Sequence, residues 1–309
     1  MVKLLDTDLR SFGLIGFQKP WLDYHKTEKG EIARKILYAC QKLMVNCCAI
    51  TSEDSQMFRG LPEDRFGFIK ENFQPISEPI KIVQAFSDQM AMGFDLTEES
   101  TTNRIVLVNS ETVSASKGQN WYGIKVHAVG GNCLPKNLSL RETLRACKER
   151  GLISFLMNVG VSENSLNEAE EMHKLADGII VYDANNCFPN WFRHVPLVKD
   201  KLGKYLERVN VKAEGLATRL KVPGIAVSSS HFMHQIGTAG IKTSIDYNYI
   251  FGGSQLLNTL RDNITKRHYE LIRYPNSRWD VAKFAWALFR RGRDPKRFKD
   301  CESSYNEKD

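Results

Sequence analysis

The stretch Ser139-Leu-Arg-Glu142-Thr-Leu-Arg-Ala-Cys147-Lys-Glu-Arg-Gly151-Leu-Ile-Ser-Phe-Leu-Met157 holds a helix start, a helix stop and a strand in one short run. Ser139 followed three residues later by Glu142 is a capping box. The hydroxyl can accept the Glu142 N–H while the carboxylate reaches back to the Ser139 N–H. Leu140, Leu144 and Cys147 then recur on one helical face. Gly151 is placed to end the helix in a left-handed conformation. Leu152–Met157 follows as a short run bounded by that glycine, which predicts a strand covered on both faces.

The same rhythm extends outward. A helix is expected over Asn164–Leu175, with Leu166, Ala169 and Met172 inward, then a strand at Gly178–Tyr182. A long helix over Lys199–Leu220 carries Leu202, Leu206, Val209, Ala213 and Leu216, and Gly224–Val227 is again a strand. Upstream, Ile32, Ile36, Cys40 and Leu43 mark a helix over Glu31–Leu43. Cys47–Thr51, Arg104–Val108 and Tyr122–Val129 read as strands, and Ile80–Phe86 as helical or mixed. Downstream, a helix is expected at Ser254–Tyr269. A last one, opened by Ser277 with Asp280 three residues on, carries Val281, Phe284, Ala285 and Leu288. Strands alternating with helices imply parallel pairing through right-handed crossovers, in an open sheet or a closed barrel. With no internal repeat and no low-complexity linker, one compact domain over residues 1–309 is expected, with a basic helical segment at 277–300.

Composition narrows the classes. The 309 residues are 42% hydrophobic, enough for a sizeable core. No apolar run reaches the ~18 residues of a membrane span, and Met1–Leu14 has no secretory apolar core. The seven cysteines include no Cys-x-x-Cys, so zinc-finger spacing is absent. Free thiols in a reducing cytoplasm are expected. The net charge of +7 is concentrated near the end. Arg278–Lys299 holds eight basic residues against Asp280 and Asp294. The candidate anion-binding residues are Arg290, Arg291, Arg293, Lys296, Arg297 and Lys299, facing a nucleic acid or another polyanion.

In a sheet of this kind ligands sit at the carboxyl ends of the strands. Those ends carry Thr51-Ser-Glu-Asp54, Asn109-Ser-Glu111, Asn158-Val-Gly160, Asp183-Ala-Asn-Asn186 and Ser228-Ser-Ser-His231. In order and context they resemble the PHP family, named for polymerase and histidinol phosphatase domains. Thr7-Asp-Leu-Arg-Ser11 stands for its His-x-His, keeping only Asp8, and Thr51-Ser52-Glu53 stands for Thr-Asp-His. Glu111 matches the family glutamate, with Asn109 in place of a glycine, and Asn158-Val159 replaces His-Pro. Ile180-Val181-Tyr182-Asp183 is similar to the Glu-Val-Tyr-Asn strand. Val227-Ser228-Ser229-Ser230-His231 keeps the serine and histidine of Gly-Ser-Asp-x-His, and Ile236-Gly237-Thr238 matches Ile-Gly-Thr. The resemblance spans Leu5 to Thr243. It implies a distorted TIM-like (β/α)7 barrel with a metal centre at the carboxyl end.

Splitting a phosphate ester there needs several His and carboxylate ligands, holding ions ~3.5–4 Å apart and acidifying a bridging water. Asn and Ser are weak neutral donors. The residual metal-ligating candidates are Glu111 and His231, with Asp8, Glu53, Asp54 and Asp183 as stand-ins. Together they could hold one divalent cation such as Mg²⁺, Mn²⁺ or Zn²⁺ weakly. The expectation is a PHP-like pseudoenzyme, a noncatalytic binding or scaffold subunit for an anionic ligand, with nucleic acid or an assembly partner. The alternatives are a metal-dependent phosphoesterase rebuilt around Glu111 and His231, and a structural oligomer subunit using Phe284, Leu288 and Phe289.

Overall fold

A computed structural model describes residues 4–12, 29–53, 64–115, 123–131, 134–135, 138–184, 202–228 and 236–274. Its strands are β1 (Leu4–Phe12), β2 (Val45–Glu53), β3 (Lys81–Ser87), β4 (Ala91–Glu98), β5 (Thr101–Ser114), β6 (Lys125–Val129), β7 (Ile153–Met157), β8 (Gly178–Asp183), β9 (Gly224–Val227), β10 (Ala239–Ser244) and β11 (Tyr269–Arg273). The helices are α1 (Lys29–Lys42), α2 (Arg65–Asn72), α3 (Leu140–Glu149), α4 (Glu163–Met172), α5 (Leu202–Leu220) and α6 (Gly253–Thr265).

The expected α/β character holds, but the all-parallel sheet does not. One sheet runs in the order β11-β10-β1-β2-β5-β6-β7-β8-β9, with β4 and then β3 branching from β5. β1, β2 and β5 are mutually parallel, as are β7, β8 and β9. β6 is antiparallel to both β5 and β7, so those six strands point one way. β10, β11, β3 and β4 add further antiparallel pairs. Among the described residues no backbone ladder joins β9 to β11, so the expected (β/α)7 closure is not formed. A side chain spans the gap instead: the Tyr269 hydroxyl donates to the Gly224 carbonyl at 2.9 Å.

β5 explains much of the departure. Its first half pairs with β4 and its second half with β6 along the same edge. Asn109 holds the fork: its N–H donates to Met90 O (2.8 Å), its carbonyl accepts from Gly130 N–H (2.7 Å), and its Nδ2 donates to Gln89 O (3.0 Å).

The sheet has two differently covered faces. Val126, Ala128, Leu156, Ile179 and Val181 meet α3, α4 and α5 on the outside. Cys48, Ile50, Ile105 and Leu107 share an outer core with α1 and α2. Cys47, Val106, Val108, Val129, Ile153, Phe155, Ile180, Ile225 and Val227 form an inner core with Leu256, Leu257, Leu260 and Ile264 of α6. Burying those four α6 side chains contributes roughly 8 kcal/mol before entropy is counted. Arg261 fastens α6 near the amino ends of β7 and β8, bonding Asp177 Oδ1 (3.2 Å) and Gly151 O (2.9 Å).

The capping box forms as the sequence predicts: Glu142 N–H to Ser139 Oγ at 3.3 Å and Ser139 N–H to Glu142 Oε2 at 2.9 Å. Gly151 ends α3 at φ +70. Several segments differ from expectation: β1, α2, β4 and β10 have no counterpart in it, and β5 extends from the expected Arg104–Val108 to Thr101–Ser114. Ile80–Phe86 is strand β3, and the helix expected to reach Tyr269 stops at Thr265, giving way to β11. The basic segment 277–300 lies outside the described residues. Among the described residues no helix is long and apolar enough to cross a membrane.

Candidate functional site

β2, β5, β7, β8 and β9 run the same way, so their carboxyl ends share one end of the sheet. Along β5 the inner positions change character: Val106 and Val108 belong to the apolar core, whereas Ser110 and Thr112 are polar, and all four are buried. The neighbours follow suit. Thr51 of β2 aligns with Ser110, which aligns with Val129 of β6; Glu53 aligns with Thr112, which aligns with His127. On the first rung the Thr51 and Ser110 hydroxyls bond at 2.8 Å. On the second, Thr112 Oγ1 lies 3.2 Å from His127 Nδ1. His127 has no solvent exposure.

Glu111 lies between these rungs and takes the opposite face. It aligns with Ser52 and Ala128, and Ala128 belongs to the outer core under α3. Its Oε2 accepts the Leu134 N–H at 2.8 Å, and its charge reaches outward to Cys147 of α3. The Cys147 thiol is pushed up to about 12, first by desolvation, then by Asp177 and Glu111.

The other predicted ligands that are described lie on β1, β2 and β8. Asp183, buried at the end of β8, aligns with Val227 of the inner core. Asn210 of α5 fixes its backbone: the Asp183 N–H donates to Asn210 Oδ1 (3.3 Å), and Asn210 Nδ2 donates to Asp183 O (3.2 Å). Asp8 stands beside Cys48 in the β1–β2 register, and Glu53 beside Thr112. Asp54, His231 and the cluster Arg290, Arg291, Arg293, Lys296, Arg297 and Lys299 lie outside the described residues. Among the described residues no group of three or more His, Cys, Asp or Glu is arranged to hold a metal ion. Glu111 and Asp183, both described, are placed on opposite faces of the sheet.

Sequence reasoning missed His127. The available signal was a histidine inside the otherwise apolar run Val126–Val129, on the same alternation that puts Val129 in the core.

No protein-family model matches the sequence, and no curated protein matches it. The crystal structure of PsfC from Pseudomonas syringae PB-5123 is similar over 94% of this chain and 98% of its own, at 13% identity and a TM-score of 0.49.

Proposed function

We propose that the chain works by binding, as a noncatalytic subunit that takes an anionic ligand, with nucleic acid as the class, and that it is a metal-poor relative of the PHP fold whose barrel is opened between β9 and β11. What supports a binding role is the position of Glu111. The best-matched family ligand faces the helices and accepts a backbone N–H there, away from the inner mouth. A hydrolytic centre rebuilt around it would have to turn that carboxylate through the sheet.

The inner mouth instead carries neutral hydroxyls and an imidazole. Such groups exchange hydrogen bonds with a ligand but do not balance the charge of clustered divalent ions. The sign of the ligand comes from the net +7 and its concentration between Arg278 and Lys299. In support of the family relation, Thr51–Glu53 and Asp183 close β2 and β8, Asn158 and Ser228 follow β7 and β9, and Glu111 lies within the last residues of β5, in the order the resemblance implies.

The test is fluorescence anisotropy with a short single-stranded RNA, titrated at several salt concentrations. If about six cationic side chains meet phosphates, affinity falls by roughly three orders of magnitude between 50 and 200 mM salt. Replacing Arg290, Arg291 and Arg293 by Ala flattens that dependence. A flat salt response in the unmodified chain would refute the proposal.

A further inference from the structure

Resting on the binding role above, we propose that Thr51, Ser110, Thr112 and His127 form the ligand-contacting floor of the mouth, and that this floor takes an oxyanion. The four come from three adjacent strands and occupy two consecutive rungs of one face. That face is apolar below them, where Val106 and Val108 meet the core that α6 fills. An apolar side chain at these positions would continue the core. Polar groups kept there cost stability even when they pair with one another, and such local departures gather at functional sites.

The donor set fits an oxyanion. Three hydroxyls each carry one rotatable O–H, and the imidazole of His127 carries one N–H. Bonds from such donors to a charged oxyanion are shorter and stronger than neutral pairs. Thr51, Ser110, Thr112 and His127 are sealed from solvent. A ligand therefore reaches them through a local opening of the mouth, and its apparent affinity is lowered by the closed fraction.

The experiment follows the His127 imidazole by nitrogen-15 NMR in the full chain during titration with inorganic phosphate. His127 resonances should shift and saturate. His127→Gln and Thr112→Val should each weaken phosphate binding about tenfold, the scale of one buried hydrogen bond to a charged acceptor, while circular dichroism shows the fold retained. Two results overturn the proposal: resonances that stay fixed through the titration, or a folded Thr112→Val chain that binds phosphate as the unmodified one does. The two proposals fail separately. RNA binding that depends on Arg290, Arg291 and Arg293 with a silent His127 removes only the floor. A responding His127 without RNA binding removes only the nucleic-acid role.

Discussion

Replacing Glu111 by Gln and by Ala separates a structural acceptor from a metal ligand. The residue is 6% exposed, and its Oε2 accepts the Leu134 N–H at 2.8 Å. In Glu111→Gln the amide oxygen can still accept that N–H. The loss is the difference between a charged and a neutral acceptor, about 1 kcal/mol. In Glu111→Ala the Leu134 N–H is orphaned inside the outer core, which costs roughly 2 kcal/mol, and the missing side chain adds about 1 kcal/mol more. At about 2 °C per kcal/mol for a chain of this size, Tm should fall by roughly 2 °C in the Gln variant and 6 °C in the Ala variant. Urea unfolding followed by circular dichroism should show the midpoint falling with the slope unchanged.

A metal ligand behaves otherwise. A divalent cation bound to the native state at 100 times its Kd stabilises by about 2.7 kcal/mol. Gln and Ala would then both abolish that gain, because neither supplies a carboxylate. Mn²⁺ or Zn²⁺ that raises the Tm of the unmodified chain but of neither variant would refute the structural assignment of Glu111.

Other outcomes follow from single contacts. Cys147, held up to about 12 by burial and by Asp177 and Glu111, stays protonated in the folded chain where the unfolded thiol ionises. Its contribution is therefore complete below pH ~9 and is lost as pH rises toward 12, by about 1.4 kcal/mol per unit. Cys147→Ala should show a shallower alkaline loss of stability, and native Cys147 should resist alkylation at pH 9; rapid alkylation of the folded chain would contradict this. A Cβ at Gly160 would lie 2.2 Å from Val209 O and 2.8 Å from Val209 Cα, both backbone atoms of α5. Gly160→Ala should thus cost about 3 kcal/mol or prevent folding, read as lost urea resistance or insolubility. Arg104 forks onto Asp95 (2.7 and 2.9 Å) and donates to the carbonyls of Asn248 (3.2 Å) and Ile250 (3.0 Å). Arg104→Ala should cost roughly 3 kcal/mol and raise amide exchange in residues 246–251; unchanged exchange would show that another contact holds that loop.

How much of this was legible in the sequence depends on which half of the chain is considered. From Ser139 to Val227 each element alternates between a 3.6-residue pattern and an unbroken apolar run. There α3, β7, α4, β8, α5 and β9 fall within a few residues of expectation. The earlier part hides its strands for a physical reason. β4, Ala91–Glu98, is buried on both faces in its first half, so it lacks the alternation that would mark a strand. β3 follows Ile80 with polar residues interspersed, and a short run of that kind fits either period. β10 and β11 become strands by pairing with each other and with β1, contacts distant in sequence.

The site was legible in position but not in direction. That Glu111 lies near the carboxyl end of a strand could be read from its neighbours, though β5 runs on to Ser114 where the sequence suggested a stop at Val108. Which face it takes depends on register, because moving one residue along a strand reverses the side chain. β5 runs through two partners on one edge, so a residue's depth along it follows from Asn109 holding the fork between β4 and β6. Once that fork is fixed, even-numbered positions from Val106 to Thr112 point inward, and Glu111 must point out. The PHP resemblance leads to an expected ligand at Glu111, while the register of this chain gives the inner face at that height to Ser110 and Thr112. A functional account of the mouth therefore begins from hydroxyls and His127, and any cation chemistry there would need carboxylates other than Glu111.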